Sequence, residues 1–595
     1  MLVRRKGCGK VCEVPAAEGC MEREFSYIQI SLEARAFVGT TVFSGRSGRM
    51  LPFDYSRPRF TPRGERIYDL MLRLVAIPSI TGSDGGENRC ARFLYDRLSR
   101  IPYFGENPGG LRLVRLEEDP LDRRAVLALL KAARPTRKTV ILTGHFDVVD
   151  TDVCGPLRPW AFDPEAYTSR IGRLELPDDA RRDLESGNYL FGRGVSDMKT
   201  GVAVNLCLLE DWAADREKLD FNVLLWLVPD EEGDSAGMRL SLPALLDLRE
   251  REKLEFVVCV DTEPVLSNDG PGIYFGTIGK AMPFFLCVGR EAHVGNYGEG
   301  MNSTLIASCL NLSIEGRGAE SVGGETFSPD CCLRLRDLRE RYAVTLPERT
   351  AVYYNCLTVK RTPASILEDM KARAGRALRS AFEHLGCGDR PVRVLDVDEL
   401  LGRAAAAAGM SRERLTDELL PRISATDQRD RNVEFLSLLM DRVGEKGPLV
   451  VVGFLPPYYP ARVNEGRTPR ERAIRNAAGA VRRSLANRGL GFTEVEIFQG
   501  ISDLSYTGFR GGGDDIAPLA ANMPLWGRGY SIPLEALRSV DIPSVLLGPI
   551  GADAHKLTER VELRYSMDIL PEVLGEFLSL AALSDGPGQG RFPEK

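Results

Sequence analysis

The stretch from Phe221 to Asp234, FNVLLWLVPDEEGD, indicates the fold class and raises the main question of this sequence. Its first eight residues form a largely apolar run with the length of one buried strand. The run stops abruptly, and four carboxylates follow within five positions: Asp230, Glu231, Glu232 and Asp234. Crowded carboxylates repel one another and resist desolvation, so a buried strand that ends in them needs a source of positive charge.

Similar apolar runs alternate with helical patterns through much of the chain. KTVILTGHFDVVD and LEFVVCVD have the pattern of strands, whereas GVAVNLCLLEDWAAD and GMRLSLPALLDLRE have the pattern of helices. Short apolar strands that are separated by helices are typical of a mainly parallel sheet with both faces covered. We therefore predict an α/β fold.

The composition excludes several classes of function. The chain has 595 residues, which suggests two to four folding units. Its 78 Lys and Arg against 84 Asp and Glu give a net charge of −6, so neither nucleic acid nor an anionic membrane is an expected partner. No apolar run approaches the roughly 20 residues that span a bilayer. The N-terminus lacks the apolar core of a secretory signal, so we expect a cytoplasmic location.

The 13 cysteines are scattered, as expected for small core residues in a reducing compartment. Cys8, Cys12 and Cys20 offer three ligands of a zinc site, but the spacing is irregular and a fourth ligand is missing. An incidental N-terminal tail is the plainer interpretation.

Residue types that bind metal ions follow the predicted strands. In an open α/β sheet, ligands bind beyond the carboxyl ends of the strands, and this sequence delivers imidazoles and carboxylates there. Such ligands suit zinc, cobalt or manganese. Two of the four histidines of the chain are among them. The candidates are His145, Asp147, Asp197, Glu231, Glu232, Asp261, Glu263 and His555.

The number of candidate ligands points to two metal ions. One tetrahedral zinc ion does not need two histidines and at least four acids. Two adjacent ions that share one bridging carboxylate use such a set, and pairs of this kind lie about 3.5–4 Å apart in hydrolytic sites. They also supply the positive charge that the carboxylates after Val228 require. We predict two divalent ions, zinc first, with cobalt or manganese as alternatives.

Five blocks of the sequence resemble one enzyme family, in that family's order. HFD, GRGVSDMKTG, DEEGDSAG and AHKLTE, together with LVAIPSITG near the first helix, are similar to the clan MH zinc peptidases, which include aminoacylases, dipeptidases and carboxypeptidase G. The resemblance runs from about residue 65 to about residue 580. TEP, PPYYP, GISDLSY and GPIGADAHKLTER look most like its RocB-type branch of arginine-utilisation proteins.

The resemblance implies a role for each candidate ligand. His145 binds the first metal ion, and Asp147 orients its imidazole through the other ring nitrogen. Asp197 bridges both ions. Glu232 and His555 bind the second ion.

The general base and the last ligand also follow from the resemblance. Glu231 is the base, which takes a proton from water and later passes it to the leaving amine. The remaining ligand of the first ion is Asp261 or Glu263. The position along the strand favours Asp261, which we predict, whereas the Glu-Pro pair favours Glu263.

Two further residues match family positions. His293, in VGREAHVG, matches a histidine that in relatives reaches a neighbouring active site across a dimer and steadies the tetrahedral oxyanion. Asp503, in GISDLSY, matches an acidic position near the cleft and is expected to support the site from behind. The plainer interpretations are packing at a strand–loop junction for His293 and a structural role for Asp503.

A change of pattern near Gly279, together with the resemblance, divides the chain into five segments. The part after Gly279 is predicted to be inserted into the main domain. The segments are an irregular extension (1–60), the first part of the catalytic domain (61–279), an inserted α+β lid or dimerisation domain (280–460) with a helical insertion at about 363–443, the second part of the catalytic domain (461–584) and a disordered tail (585–595).

We predict a metal-dependent hydrolase that cleaves an amide bond of a small peptide or an N-acyl amino acid, in arginine or amino-acid catabolism. A homodimer through the inserted domain is the expected assembly. One alternative is a metal-binding or regulatory protein that has lost activity. The other is a serine hydrolase, because GDSAG around Ser235 has the G-x-S-x-G form. PDEE separates Ser235 from the strand, however, and its three acids disfavour an alkoxide.

Overall fold

The structure is a computed structural model, and it describes residues 57–83, 85–265, 270–322 and 325–583. These residues belong to one compact unit. The three N-terminal cysteines, almost all of the predicted extension and the predicted tail lie outside the described residues. Among the helices that the structure describes, none is long and apolar enough to cross a membrane.

The strands of the described residues vary from two to eleven residues in length. In chain order they are β1 (Leu111–Arg115), β2 (Arg124–Leu130), β3 (Lys138–His145), β4 (Tyr189–Phe191), β5 (Asn222–Val228), β6 (Glu255–Asp261), β7 (Gly272–Tyr274), β8 (Gly276–Thr277), β9 (Gly279–Val288), β10 (Ser321–Val322), β11 (Glu325–Thr326), β12 (Cys331–Asp337), β13 (Arg349–Thr358), β14 (Val394–Asp396), β15 (Leu449–Tyr459), β16 (Arg462–Val463), β17 (Thr493–Val495), β18 (Ser544–Leu546), β19 (Gly551–Ala552) and β20 (Arg560–Glu562).

The helices of the described residues alternate with these strands. In chain order they are α1 (Pro62–Val75), α2 (Gly86–Leu98), α3 (Pro102–Glu106), α4 (Pro164–Ile171), α5 (Asp178–Ser186), α6 (Thr200–Ala214), α7 (Ala236–Glu252), α8 (Ser303–Ile314), α9 (Pro363–His384), α10 (Val397–Ala408), α11 (Arg412–Leu419), α12 (Gln428–Val443), α13 (Pro469–Asn487), α14 (Gly513–Asn522), α15 (Leu534–Val540) and α16 (Leu570–Leu583).

The larger sheet has eight strands in the order β1-β2-β5-β3-β6-β18-β7-β17. Its central strands β5, β3, β6 and β18 run parallel to one another. Every residue of β5 is buried, because helices cover both faces of the sheet. One face packs against α1, α2, α6, α13 and α16, and the other against α7. The predicted α/β fold with a mainly parallel sheet is confirmed.

The second sheet has five strands in the order β12-β13-β9-β15-β14. Its strands pair antiparallel except for β14, which runs parallel to β15. Apolar side chains that alternate along β9 and β15 face α8 and α9 on one side and α10 to α12 on the other. The four helices from α9 to α12 lie where the sequence predicts the helical insertion. The domain boundaries, and movement of this part as a lid, stay predictions.

Candidate metal centre

The candidate ligands come together at the carboxyl ends of the central strands. His145 is the last residue of β3, and Asp261 is the last residue of β6. Glu231 and Glu232 follow the end of β5, and His555 lies in the loop between β19 and β20. Asp197 lies in the turn before α6. The parallel strands therefore bring ligands that are distant in sequence together at the carboxyl-terminal end of the sheet.

Asp197 lies between the two imidazoles. Its Oδ1 is 3.0 Å from Nε2 of His145, and its Oδ2 is 3.2 Å from Nε2 of His555. Nε2 of His555 is also 2.8 Å from Oε1 of Glu232. One carboxylate that offers one oxygen to each of two imidazole-bearing positions has the geometry of a bridging ligand.

Asp147 holds both His145 and the acidic loop in place. Its Oδ1 and Oδ2 accept hydrogen bonds from the backbone N–H groups of Glu231 and Glu232, each at 3.2 Å. The hydroxyl of Thr81 donates to Oδ2 at 2.7 Å. Nδ1 of His145 is 3.1 Å from the carbonyl oxygen of Asp147 and 3.6 Å from its carboxylate. The imidazole is therefore oriented mainly by the backbone of Asp147, and the carboxylate fixes the loop.

The four acids of the loop after β5 have three different kinds of partner. Asp230 pairs with the buried guanidinium of Arg123, and Asp234 pairs with Arg429 at 3.2 Å. Glu231 and Glu232 face the histidines instead. Two of the four charges are thus balanced by arginines, and only the central pair is left for a metal site.

The structure favours Glu263 over Asp261 as a candidate ligand. Two groups of side chains among the described residues have ligand atoms within 4.8 Å of one another, and Glu263 belongs to one of them, whereas Asp261 belongs to neither. Oδ2 of Asp261 instead accepts a hydrogen bond from Ser502 at 2.8 Å. Asp261 as the remaining ligand stays a prediction, and this geometry adds Glu263 as the second candidate. The groups are His145, Asp197 and Glu232, and His145, Glu231 and Glu263.

Burial and mutual repulsion dominate the electrostatics of the acids. Burial raises the pKa of Glu231 well above its ordinary value, and repulsion by Glu232 adds to the effect. Burial raises the pKa of Glu263 in the same way, with repulsion by Asp261 and Glu231. Buried carboxylates that lie this close together attract cations strongly.

The pKa values of the two histidines are raised as well, but by hydrogen bonds to carboxylates rather than by burial. Burial lowers the pKa of His555, but hydrogen bonds to Asp197 and Glu232 outweigh it and raise the pKa to about 11. Burial also lowers the pKa of His145, and its hydrogen bonds to Asp147 and Asp197 raise it well above the usual value. The cluster therefore stabilises positive charge at both imidazoles.

Comparisons with known proteins identify the family of this chain. The model of Peptidase family M20/M25/M40 matches residues 141–522, which is more than half of the chain. The chain belongs to this peptidase family. The matched span contains His145, Asp197, Glu232 and Glu263, and it ends before His555.

Two relatives from Bacillus subtilis (strain 168) align with this M20-family chain over most of its length. The uncharacterized protein YqjN is 34% identical over 550 residues, which cover 88% of this chain and 98% of the relative. Protein RocB is 29% identical over 532 residues, which cover 85% of this chain and 93% of the relative. The chain belongs to the RocB-type branch of the M20 family.

A solved structure has the same fold. Human carnosine dipeptidase 1 superposes with a TM-score of 0.50 at 14% identity, and the match covers 88% of this chain and 97% of that one. At this identity the likeness concerns the fold alone.

Some supporting residues of this M20-family site were missed by the sequence reasoning. The buried carboxylate of Glu559 accepts hydrogen bonds from the backbone N–H groups of Gly194, Ser196 and Asp197 and pairs with Arg193. It holds the turn that presents Asp197. Glu559 lies in the AHKLTER block, four residues after His555. Nothing in the sequence of this block indicates that Glu559 contacts the turn around Asp197.

His293 and Asp503 differ in their placement. His293 is exposed, and its Nδ1 accepts a hydrogen bond from the backbone N–H of Gly295 at 3.1 Å. It does not line the cavity to which His555 contributes. Asp503 is 1% exposed, and burial together with repulsion by Asp261 raises its pKa well above the ordinary value. A role for His293 across a dimer and support by Asp503 stay predictions.

In the part of the chain that the structure describes, Ser235 contacts a tyrosine and the carboxylate of Asp503, and no histidine forms a hydrogen bond with it. Its side chain is buried, and its hydroxyl donates to the hydroxyl of Tyr459 at 3.1 Å. A nucleophilic serine is activated by an adjacent general base, usually a histidine, and neither contact supplies a histidine.

Asp197, Glu231, Glu232, Glu263 and His555 line a cavity of about 370 Å³. A larger cavity of about 650 Å³ lies on the other side of the acidic loop, where Arg123, Asp230 and Asp234 contribute to its wall. We assign the site to the smaller cavity, because it holds the possible metal ligands. Its lining residues are Asp197, Glu231, Glu232, Gly233, Glu263, Pro264, Lys280, Tyr459, Phe498, Gly500, Ile501, Ala554 and His555.

Proposed function

We propose that this M20-family protein is a dinuclear metallohydrolase that cleaves an amide bond of a small peptide or an N-acyl amino acid. The observation that carries the proposal is the position of Asp197, with one carboxylate oxygen within 3.2 Å of each of the two imidazoles. The membership of the peptidase family supports the class of reaction.

The residues present fit a pair of divalent ions. The donor set consists of imidazole nitrogens and carboxylate oxygens, which zinc, cobalt and manganese all accept. Burial and mutual repulsion raise the pKa values of Glu231 and Glu263, and adjacent divalent ions would lower them. We assign His145 and Glu263 to the first ion, Glu232 and His555 to the second, and Asp197 to both.

The ions, when bound, would polarise the scissile carbonyl and lower the pKa of the attacking water. Glu231 would take the proton of that water and pass it to the leaving amine. Its Oε2 lies 3.9 Å from Nε2 of His145. Glu231 is therefore next to the ligands of the first ion, but it is not the bridging carboxylate, which is Asp197. Asp147 positions Glu231 through the backbone hydrogen bond to its N–H group.

The proposal is tested by hydrolysis of a panel of N-acetyl amino acids and dipeptides, assayed with added zinc, cobalt or manganese. We expect amide hydrolysis that depends on the metal and disappears with a chelator. The panel includes N-acetylarginine, because a role in arginine breakdown stays a prediction from the resemblance. Two bound ions without turnover on any substrate would favour the regulatory, metal-binding alternative.

A further inference from the structure

The loop that carries Glu231 has an unfavourable backbone conformation near both of its ends. Asp230, close to its start, has a φ of 69°, and Ser235, at its end, has a φ of 46°. Residues other than glycine adopt such left-handed conformations only where surrounding contacts hold them, because the side chain crowds the backbone. The position of Glu231 between these two residues therefore depends on the contacts at each end of the loop.

The first end of the loop is held by the larger sheet and its helix α7. The carboxylate of Asp230 pairs with the guanidinium of Arg123, and its Oδ2 accepts a hydrogen bond from the backbone N–H of Ala236 at 3.0 Å. Arg123 directly precedes β2, and Ala236 is the first residue of α7. These contacts fix the start of the loop against the elements that present the candidate ligands.

At the other end, two contacts come from the part of the chain that forms the second sheet and its helices. Oδ1 of Asp234 accepts a hydrogen bond from Nη1 of Arg429 at 3.2 Å, and the hydroxyl of Ser235 donates to that of Tyr459 at 3.1 Å. Arg429 is the second residue of α12, and Tyr459 is the last residue of β15. The contact of Arg429 is the stronger of the two, since charge-assisted hydrogen bonds are roughly twice as strong as neutral ones.

Arg429 is itself fixed in place. Its guanidinium also pairs with Asp427, whose carboxylate accepts hydrogen bonds from the backbone N–H groups of Arg429 and Asp430 at 2.9 and 3.2 Å and so caps α12. Buried apolar side chains of α12 pack against the second sheet. The side chains of Arg429 and Asp234 are 27% and 18% exposed, so their ion pair is partly shielded from water. The loop is thus anchored to a rigid helix by a partly shielded charge.

Two ion pairs among the described residues join the predicted helical insertion (363–443) to the predicted catalytic domain. They are the pair of Arg429 with Asp234 and the pair of Arg528 with Asp417. The side chains of the second pair are 43% and 58% exposed, and Arg528 lies between α14 and α15. Of these two ion pairs, only that of Arg429 reaches the loop that carries Glu231.

We propose that Arg429 is a positioning residue, which holds Asp234 so that Glu231 lies beside the candidate metal ligands. This inference rests on the proposed hydrolase function. Between Glu231 and Asp234 lies Gly233, where a Cβ atom would be 2.5 Å from Oδ1 of Asp230, so the turn is short and crowded. A displacement of Asp234 is therefore passed on to Glu231. A misplacement of about 1 Å in a catalytic group can lower turnover by about 100-fold.

The first test measures kcat, KM and zinc content on the best substrate of the panel for Arg429→Met, Asp234→Asn and the double variant. We expect each single variant to lower kcat by about tenfold or more, with KM and zinc content unchanged. The double variant should lose no more than either single variant, because both changes remove the same contact. Arg429→Lys keeps the charge and should stay within about threefold of wild type. Arg528→Met breaks the other ion pair and is the matched control, which should match wild type.

Amide hydrogen exchange tests the position of the loop without turnover. It is followed by mass spectrometry on the purified protein with zinc added. The backbone N–H groups of Glu231 and Glu232 donate to Asp147, so they exchange when the loop opens. Arg429→Met should speed exchange in the peptide that spans the acidic loop by about tenfold or more, while peptides of β3 and α6 keep their rates. Arg528→Met should leave the loop peptide at the wild-type rate.

The outcomes are distinct. Wild-type kcat together with wild-type exchange of the loop in Arg429→Met would overturn the inference. An equal increase of exchange throughout the chain would overturn it as well, because the ion pair would then stabilise the fold alone. Loss of zinc from Asp234→Asn would show that the contact supports the metal ligands instead of the base. Failure of the wild type to hydrolyse any substrate would count against the proposed function, and hydrogen exchange would still decide whether Arg429 holds the loop.

Discussion

Two groups of buried acids lie on either side of the loop after β5, and they are neutralised differently. Around Arg123, the carboxylates of Glu87, Asp119 and Asp230 all pair with one guanidinium, with side chains at most 8% exposed. Around Asp197, the acids face two imidazoles, and no lysine or arginine of the described residues pairs with Glu231, Glu232 or Glu263. The group around Arg123 contains its own cation, the guanidinium. The group around Asp197 has the composition of a site that binds a metal ion.

This difference explains how the crowded sequence PDEEGD is tolerated. Asp230 belongs to the arginine group and Glu231 to the candidate metal group, although they are adjacent in the chain. A cation within the fold makes a permanent, structural cluster. A cluster that depends on added ions can exchange them and expose them to a substrate, as catalysis requires.

The largest effect is expected at Glu231. Glu231→Gln should lower turnover by about 10³- to 10⁴-fold, because it removes the general base. The metal content should remain that of the wild type, measured by elemental analysis. Glu232→Gln is the matched control and should lose metal. Loss of metal from Glu231→Gln itself would mean that base and ligand are interchanged.

Arg123→Met tests the arginine group. It should lower the free energy of unfolding by about 3–5 kcal/mol, because three buried carboxylates lose their cation. Urea unfolding measures the change, and added divalent ions should not restore it. Arg115→Met removes an exposed ion pair with Asp122 and should leave the free energy of unfolding almost unchanged. A similarly small cost at Arg123 would contradict a structural role for this group.

Glu263→Gln and Asp261→Asn distinguish the two candidates for the last ligand. Glu263→Gln should weaken metal binding by more than about 100-fold, which exceeds the usual effect of supporting residues. Asp261→Asn should weaken it less, by about 10-fold, because one of its carboxylate oxygens accepts a hydrogen bond from Ser502. Titration with zinc in a competing chelator measures both. The reverse order would restore Asp261 as the ligand.

The smallest effect is expected at Ser235. Ser235→Ala removes a hydroxyl that contacts Tyr459, at a cost of about 1 kcal/mol of stability. Turnover on the best substrate should stay within about threefold of wild type. A complete loss of turnover in a folded variant would support the serine hydrolase instead.

Much of the fold and of the site follows from local sequence. The buried runs that end in His145 and Asp261, and the acids after Val228, place metal-type ligands at one sheet edge without knowledge of distant contacts. The choice between Asp261 and Glu263 does not follow, since side chains two positions apart in an extended chain point the same way. The hydrogen bond that occupies one oxygen of Asp261 comes from Ser502, 241 residues later. The pairing of Asp230 with Arg123 depends in the same way on residues 107 positions apart.

The metal content of the purified protein tests the central claim most directly. The protein is stripped with a chelator, reloaded with zinc, freed of excess ions and measured for zinc per chain, in parallel with His145→Ala and His555→Ala. We predict two ions per chain in the wild type and a loss of zinc in each variant. Reloaded wild type without any bound ion, or variants that keep both ions, would contradict the account.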